Sequence, residues 1–365
     1  VSTSDVTVDG IRGARPGREA TVGVNLGPGV SAQPARPAER DGSSTARRNG
    51  RNGRNGEQPM VPKVEFSSYY GLPIINKPVW AAPDIPGYLF LGGLAGAGSV
   101  LAAGAQLTSR PALARVCKHG ATMAAALSMT ALVHDLGRRE RFVNMLRVIK
   151  PSSPMSVGSW LLAGYGPCAT IASLTEASGI AKPLGTLATA GAAALGPAIA
   201  SYTAALISNT AVPAWHDGFK EMPFSFVSSA AASAGGLGLL GAPLAEAGPA
   251  RVAGALGGAL ELASVQLMEH RMGIVKEAFH EGKAKRYSRL AQLFTGAGVL
   301  GALLGRRRRL ASALSGACLM VGSACERFAI FEAGLNSAED PKYTVVPQRR
   351  RLDARGGVPT PARRR

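Results

Sequence analysis

Between residues 80 and 333 the chain alternates long apolar runs with short polar gaps. Eight runs, at 85–107, 116–136, 156–174, 185–208, 224–244, 252–270, 290–305 and 310–328, approach the ~20 residues that a membrane-spanning helix needs. They are rich in Ala, Gly, Leu, Val and Ser. Gly92-x-x-x-Gly96 and Gly254-x-x-x-Gly258 put small residues one turn apart, the spacing that lets helix backbones approach closely in lipid. The pattern predicts an all-α, polytopic membrane helix bundle of about eight transmembrane helices. A soluble helical protein can carry Ala/Gly helices, but eight runs of this length make that a minor alternative. The gap at 134–160 separates the second and third runs, and both runs meet it with polar residues.

Outside the bundle the composition changes. Residues 1–79 are rich in Arg, Pro and Gly, with RNGRNGRNG at 48–56, and hold too few apolar residues to bury a core. They are expected to be a disordered basic tail, with 80–333 as the bundle and 334–365 as a second basic tail. No short apolar run near Val1 reads as a signal peptide. The net charge of +18 over 365 residues invites a nucleic-acid partner. Lys and Arg instead avoid the apolar runs and crowd the gaps, as in membrane proteins, so the expected surroundings are membrane lipid and no nucleic acid. Eight spans put both termini on one side. The short loops of that side carry 12 Lys and Arg against 8 on the other. This favours termini in the cytoplasm and a multi-pass protein of the cytoplasmic (plasma) membrane.

Polar and ionisable residues gather where odd-numbered runs start and even-numbered runs end, which is one face of the bundle. Asp84 and Tyr88 are four apart at the start of the first run, and share a helix face if the helix has begun there. Asp84 before Pro86 also reads as a helix cap, and Tyr88 as an interfacial aromatic. Tyr202 lies about two turns inside the fourth run, where a phenol needs a hydrogen-bond partner. His134-Asp135 reads as a proton relay or as a helix end paired to Arg138, Arg139 or Arg141. Glu261, near the middle of the sixth run, is an intramembrane carboxylate and therefore a functional candidate. Cys117, Cys168, Cys318 and Cys325 contain no C-x-x-C pair, so no metal site is suggested. The histidines (119, 134, 216, 270 and 280) all fall near run ends or in gaps, which argues against a pair of axial haem ligands. No nucleophile–base triad or Walker loop is apparent, so redox chemistry would need a mobile cofactor or a partner.

The motifs IPGYLFLGGLAGAG (85–98), HDLGRRERFVNM (134–145), KPSSPMSVGSW (150–160), SYTAALISNTAVPAW (201–215) and ERFAIFEAG with DPKYTVVPQ (326–348) are similar to those of a known family. The chain resembles the NrfD/PsrC family, the polytopic membrane subunit of polysulfide-, nitrite- and formate-linked molybdopterin oxidoreductase complexes. The resemblance implies an eight-helix protein that binds menaquinol or menaquinone at one membrane face. It also implies electron exchange with a [4Fe-4S] ferredoxin-like subunit serving a molybdopterin catalytic subunit. By motif position the quinone contacts fall on Asp84, Tyr88 and Tyr202, although two family members show Asn and His near the first two positions. On that reading His134, Asp135 and Glu261 carry protons away, and the basic gap residues Arg138, Arg139, Arg141 and Lys150 dock the iron–sulfur partner. The chain would then be a subunit that is not catalytic alone. Two alternatives stand beside it: a proton or solute transporter, which Glu261 would suit, and a structural membrane anchor without quinone chemistry.

Overall fold

In the computed structural model, the described residues are 5–7, 10–12, 73–136 and 138–354. The strands β1 (Asp5–Thr7) and β2 (Gly10–Arg12) pair antiparallel as a small hairpin. The rest of the expected N-terminal tail up to residue 72 lies outside the described residues.

From residue 84 onward the chain is helical. The eight apolar runs become α1 (Asp84–Leu107), α2 (Pro111–Asp135), α3 (Pro154–Ser178) and α4 (Lys182–Ser208), then α6 (Met222–Gly241), α7 (Gly248–Arg271), α8 (Gly282–Leu304) and α9 (Arg309–Glu339). The short α5 (Pro213–Asp217) precedes α6, and α10 (Lys342–Ala354) follows α9. Most helices begin a few residues before the apolar run. In α2, α3, α4, α6 and α7 a proline occupies the first turn, where its missing N–H costs no intrahelical bond. Two 3₁₀ helices, Arg139–Leu146 and Gly273–His280, fill gaps that the apolar pattern left without structure.

Five helices, α1, α2, α4, α6 and α9, are long and apolar enough to cross a membrane. The other three long helices are interrupted by polar residues: Glu176 in α3, Arg251, Glu261 and Glu269 in α7, and Lys283, Lys285, Arg286 and Arg289 in the first turns of α8. Large apolar side chains point outward, with Leu107 86%, Leu304 83%, Phe224 72% and Leu187 71% exposed. The interior is dominated by Ala, Gly and Ser. Such an arrangement inverts the soluble pattern and suits a hydrocarbon surround, where close packing of small residues replaces a water-driven core.

Several helix contacts require glycine, among them two at the small-residue motifs. A Cβ on Gly96 of α1 would overlap the carbonyl of Gly196 on α4, and a Cβ on Gly196 would overlap that of Gly96. Gly235 of α6 meets the backbone of α7 at Gly254 in the same way. The two small-residue motifs therefore do pack helices, but each divides its work. Gly92 faces Ser128 of α2 while Gly96 faces α4, and Gly258 faces Thr295 and Val299 of α8 while Gly254 faces Leu319 of α9. Buried hydroxyls join helices where small residues cannot: Tyr165 of α3 donates to the Ala95 carbonyl at 2.6 Å, and Ser229 and Ser323 join α6 to α9 at 2.7 Å.

The bundle boundary expected at residue 334 falls inside α9, which runs for 31 residues to Glu339. The helix continues because its last turns are held on several sides. Gly334 lies against the Trp215 ring, Ser337 Oγ accepts the Ala214 N–H at 3.1 Å, and Asn336 donates to the Ala278 carbonyl at 3.0 Å. Tyr343 of α10 is buried and donates to Glu281 at 3.2 Å.

Substituting Gly96→Val is expected to force α1 from α4 and destabilise the protein by about 1–3 kcal/mol or more. Gly104→Ala, which meets nothing within 4 Å, should not. Thermal unfolding of the two variants in detergent checks this; equal midpoints would show that the α1–α4 contact is not limiting.

Candidate functional site

At the face where α1 begins and α4 ends, the antiparallel α1–α4 contact brings two phenols together. The Tyr88 and Tyr202 hydroxyls are hydrogen-bonded to each other. Tyr88 is buried, and its carbonyl accepts a bond from Ser128 Oγ at 3.2 Å, tying this turn of α1 to α2. Gly158 of α3 lies under the Tyr202 ring, where a Cβ would collide with it. The small residue in PMSVGSW therefore makes room for the tyrosine.

Both tyrosines line a cavity of about 100 Å³ between α1, α2, α3 and α4. Its other walls are mostly apolar, with Met145 from the 3₁₀ helix, Met155 from the start of α3, and Leu206. Asp135 supplies a carboxylate, and Trp80 closes one side. The gap at 134–160 is thus a wall of this cavity. It folds back on α3 because Ser156 Oγ donates to the Val148 carbonyl at 2.9 Å and accepts the Lys150 N–H at 3.0 Å.

Of the expected quinone contacts, Tyr88 and Tyr202 share the cavity and Asp84 does not line it. Asp84 instead pairs with His134 Nδ1 at 2.7 Å, with His134 more than half exposed. Asp135 Oδ1 accepts the Ala81 N–H at 3.0 Å, which fixes the carboxylate beside the cavity. His134, Asp135 and Asp84 therefore form one group around the α1 and α2 ends. Glu261 is elsewhere. It lines a second, much smaller cavity with Gln266, Gln292, Thr295 and Glu326, between α7, α8 and α9. Arg138, Arg139 and Lys150 are exposed, as a docking loop requires; the side chain of Arg141 lies outside the described residues.

The sequence reading missed the partners of Glu261. Glu326 and Arg327 of α9 are as buried as Glu261 itself. Arg327 donates to the Phe226 carbonyl at 2.8 Å and stacks its guanidinium on the Phe226 ring, 3.7 Å from the centroid. Both Glu261 carboxylate oxygens, one Glu326 oxygen, two Arg327 nitrogens and Thr295 Oγ1 are buried without a hydrogen-bond partner. Near the surface the Glu269–His280 pair, at 3.3 Å, sits at the end of α7. The adjacent charges Glu326-Arg327, close to the end of the last apolar run, were the available signal.

A second missed feature is the tryptophan brace. Trp80 stacks on Trp215 at 5.5 Å, and Trp215 packs on Phe331 at 5.9 Å while donating to the Ile330 carbonyl at 2.8 Å. Trp160 donates to the Val148 carbonyl at 3.3 Å. All three tryptophans of the chain thus lie at this face, a clustering that interfacial aromatics could have signalled.

Two phenol hydroxyls and a carboxylate thus line one mostly apolar cavity. No curated protein matches the chain. Residues 74–248 match the family model described as "Polysulphide reductase, NrfD", a span that contains α1 to α6, both tyrosines and the whole of the cavity wall. Over residues 74–248 the chain is similar to the NrfD polysulphide reductase family, and its long apolar helices make it a multi-pass membrane protein.

Proposed function

We propose that the chain binds menaquinol or menaquinone in the Tyr88–Tyr202 cavity and exchanges electrons with a [4Fe-4S] ferredoxin-like subunit that serves a molybdopterin oxidoreductase. The observation that carries this reading is the meeting of the two phenol hydroxyls, beside Asp135, on the wall of an otherwise apolar cavity. The residues fit such a ligand. The phenols presently satisfy each other, and a quinone head group offers two oxygens that can replace that mutual bond. The cavity's methionines and leucines suit its apolar rings. A bound quinol supplies two electrons and two protons.

Tyr88 and Tyr202 orient the ligand oxygens by trading their mutual hydrogen bond for bonds to it. Asp135 takes up a proton at Oδ2, since Oδ1 already accepts the Ala81 N–H. The Asp84–His134 pair, on the neighbouring helix ends with His134 more than half exposed, passes the proton outward. Trp80, braced by Trp215, keeps water from the apolar side. Arg138, Arg139, Arg141 and Lys150 receive the electron-carrying partner, whose facing surface is then acidic. In this reading all eight long helices span the plasma membrane, and both termini lie in the cytoplasm with the cavity face.

A second role is favoured by one observation, the buried Glu261–Glu326–Arg327 cluster with its unpartnered atoms. Ionisable groups at membrane depth are costly and are kept where they move or hold charge. We infer that this cluster carries protons through the C-terminal helices, with Glu269 and His280 at its outer end. The chain would then couple quinone chemistry to proton movement, in place of the separate transporter considered from sequence.

Tyr202→Phe removes one hydroxyl and is expected to slow oxidation of a soluble naphthoquinol by the assembled complex roughly tenfold, through one lost hydrogen bond. The subunits should still co-purify; an unchanged rate would exclude Tyr202 from the site. Glu261→Gln is expected to leave that oxidation rate within a factor of two while lowering proton movement about tenfold or more, followed with a pH-sensitive dye in proteoliposomes. Proton movement at the parental rate would remove the cluster from the path.

A further inference from the structure

A cavity larger than the tyrosine site lies at the opposite end of α1, ~27 Å along the helix axis from Tyr88. It measures about 420 Å³ and opens between the α1–α2 and α3–α4 connections. Its charged lining residues are Arg110, Arg115, Lys118, Lys182 and Glu176. Four cations thus surround one carboxylate. Glu176 is taken by Lys118 at 3.0 Å and Arg115 at 3.5 Å, while Arg110 and Lys182 form no ion pair among the described residues. Lys118 is itself almost fully buried, its side chain only 6% exposed, so a cation is held inside the bundle rather than left waving from its surface.

The cavity therefore carries an excess of positive charge. Its backbone adds to that excess, because α2 and α4 both begin at its rim, at Pro111 and Lys182, and helix starts favour negative charge. Thr186 Oγ1 donates to the Lys182 carbonyl at 3.1 Å and accepts Gln106 Nε2 at 3.1 Å, which bridges α1 to α4 and keeps the cavity open below the helix start.

What surrounds the cavity decides the source of the anion. Leu107, Leu174, Ile180, Leu184 and Leu187 on the adjoining helix ends are 51–86% exposed. A soluble phosphate ester has no use for that apolar rim, whereas acyl chains cover it. Basic pockets between membrane helices at the interface are suited to anionic headgroups. We propose that this cavity binds the phosphate of an anionic phospholipid, with Arg110, Lys118 and Lys182 as its donors and the flanking leucines against its chains. The lipid would fill the gap between the α1–α2 and α3–α4 hairpins, at the far end of the helices that hold Tyr88 and Tyr202. The proposal stands whether or not the tyrosine cavity binds a quinone.

The test uses the full-length chain released from nanodiscs containing equal amounts of phosphatidylglycerol and phosphatidylcholine, with retained lipid read by native mass spectrometry. One phosphatidylglycerol is expected to stay with the parent protein. Arg110→Gln with Lys182→Gln, both at the accessible rim, should weaken retention about thirtyfold. Lys182→Glu alone should weaken it in the same direction, which covers the case of a double variant that fails to fold. Equal retention of the two lipids, or retention unchanged in both variants, would overturn the proposal. Inorganic phosphate at millimolar concentration provides the second arm. If it displaces the lipid and raises the thermal midpoint of lipid-free protein as much as phosphatidylglycerol does, the site belongs to a soluble anion. Binding of an acidic peptide in preference to phosphatidylglycerol would likewise assign it to a protein partner.

Discussion

The contact between the α1 and α4 backbones at Gly96 and Gly196 is the constraint on which the rest of this structure depends. In lipid there is no hydrophobic drive to press helices together, so close approach must come from missing side chains. The two helices run antiparallel, and from that contact Tyr88 lies eight residues toward the start of α1 while Tyr202 lies six residues toward the end of α4. At ~1.5 Å per residue both reach nearly the same depth. The crossing that packs the bundle therefore also brings the two hydroxyls together. Gly158 on α3 completes the arrangement by leaving room for the Tyr202 ring.

The chain divides its polar chemistry between its two halves. The first four long helices hold the tyrosine cavity with Asp135 at its wall and the Asp84–His134 pair beside it. The last three long helices hold Glu261, Glu326 and Arg327 in a nearly closed interior. The halves are joined at the polar face by aromatic stacking: Trp80 precedes α1, Trp215 lies on α5, and Phe331 lies on α9. Helices outside the matched segment 74–248 thus support a wall of the cavity inside it. This explains why α9 continues beyond residue 334. Its last turns carry the residues that hold the α5 segment and, through Trp215, the tryptophan at the cavity.

The buried cluster and the basic cavity place charge differently. Glu261, Glu326 and Arg327 place two carboxylates and one guanidinium in the interior, where Arg327 offsets part of the cost of burying the carboxylates. The cations of the α1–α2 and α3–α4 ends outnumber their single carboxylate and open to the surface. The first arrangement balances its charges in part and is nearly closed, whereas the second is open with cations in excess.

The apolar runs by themselves determined the eight long helices, because a long stretch dominated by Ala, Gly, Leu and Val in lipid has no way to satisfy its backbone except as a helix. They also located the polar face, since ionisable residues at run ends must share a side when helices alternate in direction. Motif position was enough to single out Tyr88 and Tyr202. Composition could not show that Asp84 turns to His134 while Asp135 faces the cavity, because neighbouring residues at a helix end point in different directions and only packing selects between them. Nor could it pair Glu261 with Glu326 and Arg327, which are more than sixty residues apart and meet only because glycine contacts bring α7, α8 and α9 together. The end of α9 was hidden for the same reason: its last turns are polar in sequence and owe their helical state to tertiary bonds from Ser337 and Asn336.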